Sequence, residues 1–351
     1  MSSTKKLLRW LRATANRRVG VLGDYMLDSY VWGNATRLSP EAAVPVVDFV
    51  EESECPGGAG NVAANLSALG ARVSAFGTRG EDAEGIRLQA ALVARGIDAR
   101  AVLADRVRRT TWKTRIIARH QQVVRVDRET RAPLSGEVEE KLIAKVIGAL
   151  KGGRGARGLE ALVISDYDKG TVTEELARRV LGVCVKLRVP AFVKPKWSML
   201  ATYPGASAIV LNSAEAGFLV TRPVEDDESA EFAGAQLLEK FKSSAVVLTR
   251  GARGMMVFEP GARSLKIAAL GQERPYGVRS SATSTKKHGL QVFDVTGAGD
   301  TALATLALAV AAGAPIREAA VLANAAAGVV VSKLGTATVT REELEGLART
   351  L

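Results

Sequence analysis

Asp294-Val295-Thr296-Gly297-Ala298-Gly299-Asp300-Thr301 stands immediately ahead of an Ala/Leu-rich run with helical spacing. Two glycines around one alanine let the backbone turn tightly and aim the amides of Gly297, Ala298 and Gly299 at one point. A helix beginning there adds the positive end of its dipole, so the junction can hold an anion without a cationic side chain. Asp300 has the wrong charge to bind that anion itself. Beside a phosphate cradle, its carboxylate has a use if it takes the proton of a hydroxyl about to attack a phosphoryl group. An N-cap aspartate after a glycine turn would look the same, and this octet alone does not separate the two readings.

A second glycine cluster tips the balance. Pro56-Gly57-Gly58-Ala59-Gly60-Asn61 precedes Val62, Ala63, Leu66 and Leu69, an apolar stripe at helical spacing. Glycines there admit a ligand close to the backbone, and Asn61 offers both a donor and an acceptor, as a sugar hydroxyl requires. Further back, Arg18-Val19-Gly20-Val21-Leu22 reads as a buried first strand, and Gly23-Asp24-Tyr25-Met26-Leu27-Asp28 leaves two carboxylates near its end. Ligands of open α/β sheets bind at the carboxyl ends of the strands.

Strand-like runs at 19–22, 73–77, 161–165, 191–193, 208–211 and 245–249 alternate with helical segments, the pattern of parallel βαβ units in one large α/β domain. Two β-branched regions break the alternation. Ala43 to Val50 and Thr111 to Asp127 read as strands outside the main sheet, with Trp112, Thr114 and Ile116 alternating against Lys113, Arg115 and Ile117. A pair of edge hairpins would give the same pattern. The stretch 271–288 is rich in Gly, Pro, Ser, Thr and basic residues with no apolar period, and predicts a flexible loop. The apolar stretch from Ala302 to Val331 is interrupted by Gly313, Pro315, Arg317 and Glu318, which predicts two packed helices rather than a bilayer crossing.

The two glycine signatures, G-G-A-G-N at 57–61 and D-V-T-G-A-G-D-T at 294–301, together resemble the ribokinase (PfkB) family of sugar kinases. Longer stretches are similar to its D-glycero-β-D-manno-heptose 7-phosphate kinase branch. They are G-D-Y-M-L-D-S-Y at 23–30, R-L-S-P-E-A-A-V-P-V-V at 37–47, T-R-I-I-A-R-H-Q-Q-V-V-R-V-D at 114–127, S-D-Y-D-K-G at 165–170 and K-L-G-T-A-T-V at 333–339. The resemblance implies a ribokinase-like α/β fold, a largely parallel central sheet flanked by helices with a small β lid. Its implied layout is an N-terminal extension over 1–16 and a kinase domain over 17–351, with lid strands within about 29–55 and 106–127. It also implies an ATP-dependent kinase acting on O1 of the heptose 7-phosphate, with Mg²⁺ and with dependence on a monovalent cation left open. The H-x-G-H motif of the nucleotidyltransferase often fused to such kinases has no counterpart here, since the two histidines, His120 and His288, stand apart, and a stand-alone kinase is expected.

The resemblance carries roles to individual residues. Asp300 is the implied base, with the amides of Gly297, Ala298 and Gly299 stabilising the transferring group. Asp24, Asp28, Gly57, Gly58, Asn61, Asp166 and Lys169 are expected around the sugar, and Arg115, Arg119, Gln122 and Arg125 on the lid near its phosphate. Asn212-Ser213-Ala214-Glu215 resembles the family's N-x-x-E motif, in which Asn212 and Glu215 help place Mg²⁺ through water. A capping box has the same spacing. Thr249, Gly251 and Gly254 resemble the nucleotide loop, and Asn324 matches a position near the adenine. Lys196 matches the end of a D-P-K motif, whereas Lys194 stands where the family has aspartate, which leaves the local cation arrangement open.

Bulk properties agree with anionic ligands. The chain has 351 residues, 48 basic against 37 acidic, a formal charge of +11, 47% hydrophobic residues and only 5% aromatics. Nucleic acid would also suit that charge, yet no binding motif or aromatic-basic patch is present. Cys55 and Cys184 are too few and too far apart for a disulfide framework, which points to the cytoplasm. No membrane partner is expected, while the family resemblance implies a homodimer through the lid. Leu7, Leu8, Trp10 and Leu11, flanked by lysines and arginines, predict a frayed amphipathic helix on the surface.

Overall fold

The computed structural model describes residues 3–119, 121–134, 136–153, 155, 157–196, 203–270, 295–333 and 335–350. Asp294, His120 and the loop read at 271–288 lie outside the described residues. The chain opens with α1 (Ser3–Ala13), β1 (Arg18–Gly23), β2 (Tyr25–Leu38) and β3 (Pro45–Gly58). Next come α2 (Ala59–Ala68), β4 (Arg72–Gly80), α3 (Ala83–Val93) and β5 (Asp98–Asp105), then the hairpin of β6 (Thr111–Ala118) and β7 (Gln121–Arg128). The middle of the chain runs through α4 (Gly136–Lys151), β8 (Ala161–Ser165), α5 (Glu174–Leu187), β9 (Ala191–Lys194) and β10 (Ala208–Asn212). It continues through α6 (Ser213–Leu219), α7 (Asp227–Phe241), β11 (Val246–Thr249), β12 (Met255–Phe258) and β13 (Leu265–Ile267). Helices α8 (Ala298–Ala311), α9 (Ile316–Val330) and α10 (Arg341–Thr350) close the described chain.

Nine strands form the main sheet in the order β13-β12-β11-β10-β9-β8-β1-β4-β5. All neighbours from β11 to β5 are parallel, and β12 and β13 add an antiparallel edge. The run Ala-Leu-Val-Ile at 161–164 is apolar at every position because both faces of β8 are covered. Ala161 and Val163 face a core with residues of α1, α2, α3, α8, α9 and α10, while Leu162 and Ile164 face a second core with α4, α5, α6 and α7. The fold is thus the helix–sheet–helix arrangement implied by the resemblance. The two helices read in the stretch 302–331 are α8 and α9, separated at Gly313 and Pro315.

Strand order reverses direction at β1. The chain leaves β1 for β4 on one side and returns to β8 on the other, so the carboxyl ends of β1 and β8 flank a topological switch point. Register aligns the functional strand ends there: Gly23 faces Ser165, Ser165 faces Lys194, and Asn212 faces Thr249.

Over this edge stands a separate four-stranded sheet, β3-β2-β6-β7. It draws on 25–58 and 111–128, so it begins earlier than the lid read from sequence, with only Asp24 between β1 and β2. The rooted end, Tyr25 to Tyr30, is buried, and the outer ends are exposed. Strand β3 returns directly into α2, which ties the lid to the glycine cluster at 57–60.

Helix α1 corrects one expectation. It is docked rather than frayed: Leu7 and Leu11, one turn apart, are buried in the core that includes α8, α9 and α10. Trp10 donates its indole N–H to Glu318 at 2.5 Å and Lys6 pairs with the same carboxylate. The sequence showed the amphipathic pattern, but the receiving groove is made by α8, α9 and α10 at the far end of the described chain.

Candidate active site

A cleft of about 1220 Å³ lies between the carboxyl edge of the sheet, the lid and the start of α8. Gly297 is the N-cap of α8 with φ 83°, and a β-carbon on it would come 2.8 Å from Asn61 Nδ2, so both conformation and space require glycine. The Ala298 amide donates to the Val295 carbonyl at 3.3 Å. The amides of Gly299 and Asp300 fall in the first helical turn, where no intrahelical acceptor exists.

Asp300 is 6% exposed and held from three directions. Its Oδ1 accepts from the Tyr167 hydroxyl at 2.6 Å and from Lys194 Nζ at 2.7 Å, and its Oδ2 accepts from Asn61 Nδ2 at 3.0 Å. Asn61 is itself steadied by Asn65, one turn along α2, which donates to its side-chain oxygen at 3.2 Å. Burial lifts the Tyr167 phenol above its usual range. For Lys194 burial works against the charge, but Asp300, Tyr167 and Glu215 together outweigh it and the ammonium is held above the usual lysine range.

Of the site residues named from sequence, Asp28, Gly58, Arg115, Arg125, Asn212, Ser213 and Ala214 line this cleft, as do Thr249, Gly251, Gly254, Gly297, Ala298, Gly299, Asp300 and Asn324. The others do not. Asp24 is consumed by structure: its two oxygens accept the amides of Tyr167 at 2.8 Å, Lys169 at 3.1 Å and Thr171 at 3.1 Å. It therefore folds the 166–171 turn and has little left for a sugar hydroxyl. Asp166 accepts from Tyr203 and from the Asp168 amide, and burial followed by the neighbouring Asp24 charge pushes its pKa up to about 6. Lys169 is turned onto Glu129 at 2.8 Å. Arg119 and Gln122 are exposed at the β6–β7 turn, and Gly57 lies behind Asp28, which its β-carbon would strike. Asn61 reaches the site through Asp300 rather than as a lining residue.

The N-x-x-E segment forms the capping box. Asn212 accepts from the Glu215 amide at 2.7 Å, and the Glu215 carboxylate accepts from the Asn212 amide at 2.9 Å while its other oxygen meets Lys196 at 3.2 Å. Glu215 and Lys196 thus stand behind the cleft wall. Gly254 is needed for packing: at φ 77° its β-carbon would lie 2.0 Å from the Ile267 carbonyl oxygen of β13. Asn324 donates to the Ala268 carbonyl at 2.8 Å.

The lid side of the cleft is cationic. Lys113 and Arg115, two apart on β6, face the same way, and Arg125 of β7 stands opposite Arg115. Each has a carboxylate: Arg115 meets Asp28 at 2.7 Å, and Lys113 and Arg125 share Asp127 at 2.7 Å and 2.8 Å. Burial lifts Asp28 above the usual carboxylate range even with Arg115 beside it.

A family model for pfkB carbohydrate kinases matches residues 17–343. The chain belongs to the pfkB family of carbohydrate kinases. Among curated proteins, it is 42% identical over 326 residues to the bifunctional protein HldE of Geobacter sulfurreducens, covering 93% of this chain and 62% of that protein. It is 39% identical over 324 residues to the HldE of Trichlorobacter lovleyi, covering 92% of this chain and 61% of the relative. The chain thus spans about three fifths of the length of these relatives. The fold is shared with Escherichia coli phosphofructokinase-2, solved with potassium, at TM-score 0.74 and 18% identity over 95% of this chain and 99% of that one. Arabidopsis thaliana ribokinase, solved with ribose and ATP, superposes at TM-score 0.70 with 20% identity, covering 95% and 99% of the two chains.

For this pfkB kinase the structure adds three site residues that the sequence reading left out. Tyr167 sits inside S-D-Y-D-K-G between residues that were chosen for their charge. Lys113 shares the alternation that singled out Arg115, so the signal was there. Lys194 was noticed as a departure, but only the fold brings it to Asp300, 106 residues further along.

Proposed function

We propose that this chain transfers the γ-phosphoryl group of ATP to O1 of D-glycero-β-D-manno-heptose 7-phosphate, giving the 1,7-bisphosphate used for ADP-heptose and lipopolysaccharide core synthesis in the cytoplasm. One observation carries the reading. A carboxylate at the first turn of a helix, Asp300, opens onto a cleft whose opposite, lid-side wall is the cationic set Lys113, Arg115 and Arg125. The triphosphate seats against the α8 amides and the strand ends at Asn212 and Thr249. The acceptor lies under the lid, with its own phosphate toward the lid cations. Asp300 then accepts the proton of the attacking hydroxyl, and the α8 amides stabilise charge on the transferring oxygens. A lid over the acceptor excludes water that would compete for the phosphoryl group.

No cluster of three metal-binding side chains occurs among the described residues. Magnesium keeps its waters and binds chiefly through nucleotide phosphates with one or two carboxylates. Glu215, with Asn212, would hold it through water, and when bound it screens the phosphate charges during transfer. A second copy of the chain would cover the lid, whose Phe49, Val50 and Val124 are exposed.

A second reading, a catalytically weak nucleotide-binding protein, draws on the Lys194–Asp300 ion pair. Turnover of ATP against a panel of free and phosphorylated sugars separates the readings. Turnover confined to heptose 7-phosphate supports the first. Efficient turnover of another sugar leaves only the family chemistry, and no turnover with any acceptor favours the second.

A further inference from the structure

Lys194 ends β9 at the carboxyl edge of the sheet, with Nζ 5.1 Å from the centre of the Tyr167 ring. Nζ also lies 2.7 Å from Asp300 Oδ1 and 3.3 Å from the Tyr167 hydroxyl. A β-carbon built on Gly299 would come within 3.6 Å of the same nitrogen, so the ammonium borders the first turn of α8. Glu215 contributes a more distant charge, and Lys196, two residues on, is turned onto Glu215. Lys194 therefore stands between the carboxylate that would accept a proton and the amides that would hold a terminal phosphate.

Three of the roughly four acceptor sites on the Asp300 carboxylate are occupied, by Lys194, Tyr167 and Asn61. A terminal phosphate arriving on α8 presents more negative charge than a carboxylate does, beside the same ammonium. Lysine is a point charge on a flexible four-carbon stem and can follow it. We propose that Lys194 is a donor-phosphate clamp that exchanges partners, holding Asp300 when no terminal phosphate is bound and moving to the γ-phosphate when a nucleoside triphosphate seats on the Gly297–Gly299 turn. The exchange frees a lone pair of Oδ1 and places a cation against the oxygens being transferred. In the step that follows, the acceptor O–H gives its proton to Asp300 and its oxygen bonds to the γ-phosphorus. The bond from that phosphorus to the β,γ-bridging oxygen breaks, and its electron pair leaves on the diphosphate. The inference rests on the reading of residues 297–300 as the transfer site.

Nucleotide binding tests it without turnover. Asp300→Asn is the background, so that Lys194 has no carboxylate to hold and its removal leaves no unpaired buried charge. In that background Lys194→Met is expected to weaken AMP-PNP binding in magnesium buffer by about ten- to a hundredfold while ADP binding stays unchanged. Lys194→Arg should keep part of the preference, and Lys194→Gln gives the same readout as methionine should the methionine variant not fold. Calorimetric titration of both nucleotides reads the difference. Equal losses for AMP-PNP and ADP, or no loss for either, overturn the clamp and leave the kinase reading standing. If the unsubstituted protein binds neither nucleotide, the transfer-site reading falls and the clamp falls with it.

Discussion

Asp300 accepts hydrogen bonds on both carboxylate oxygens, and asparagine fills nearly the same volume. Asp300→Asn is expected to lower kcat by about 10²- to 10⁴-fold while the sugar KM and ADP affinity change little, as steady-state kinetics and titration would show. Retention of kcat would remove Asp300 from the role of base. Asp24 should behave in the opposite way. With three backbone amides depending on it, Asp24→Asn is expected to cost at least about 2 kcal/mol of stability in urea unfolding. A raised sugar KM with an unchanged unfolding midpoint would return Asp24 to the acceptor site. Asp166 makes a pH-dependent statement. Its folded pKa of about 6 lies above the usual carboxyl value, so the folded chain binds that proton more tightly than the unfolded chain does. Its contribution is therefore most favourable below about pH 4 and is lost as pH rises toward about 6, by on the order of 3 kcal/mol at most. Melting curves of Asp166→Asn should lack that decline, and an identical pH dependence in the two proteins would contradict the assignment.

At the scale of elements, α1 and the α6 capping box carry the informative tests. Leu11 is 1% exposed in the core beneath α1, so Leu11→Ala is expected to cost about 2–5 kcal/mol, measured by denaturant unfolding. A frayed surface helix would show almost no change. Glu215 caps α6, and a capping box accepts glutamine in place of glutamate. Glu215→Gln should thus leave the melting temperature nearly unaltered and raise the magnesium concentration needed for half-maximal turnover. A lower melting temperature with unaltered magnesium dependence would leave the carboxylate with a capping role alone. Capping and metal placement share one spacing, which is why the sequence could not choose between them and why the cap, once seen, does not remove the second role.

For the whole molecule, the main sheet and the lid meet across the cleft, and acceptor choice depends on that meeting. The kinase is expected to prefer heptose 7-phosphate over free heptose in kcat/KM by about two to three orders of magnitude, since only the phosphorylated sugar brings an anion that Lys113, Arg115 and Arg125 can hold with charge-assisted hydrogen bonds. Neutralising Lys113 and Arg125 together should erase that preference and spare ATP affinity. Comparable rates with free sugars would overturn the phosphorylated-acceptor reading and leave the family chemistry intact.

The sequence by itself determined the sheet-and-helix order and the glycine turn ahead of α8, because apolar periodicity and backbone freedom are local properties. Six of the main-sheet strands were legible as apolar runs, whereas β5 and β13 at the two edges were not, β5 being half-exposed and β13 only three residues long. The tertiary structure alone decided which charges reach the cleft. Asp24, Asp166 and Lys169 carry the right chemistry at the right edge, yet the 166–171 turn and Glu129 claim them first. Lys194 and Asn61, by contrast, meet at Asp300 from strands and helices far apart in the chain. A charged side chain's role follows from its nearest partner in space, and that partner is fixed by strand register and helix packing rather than by neighbours in sequence.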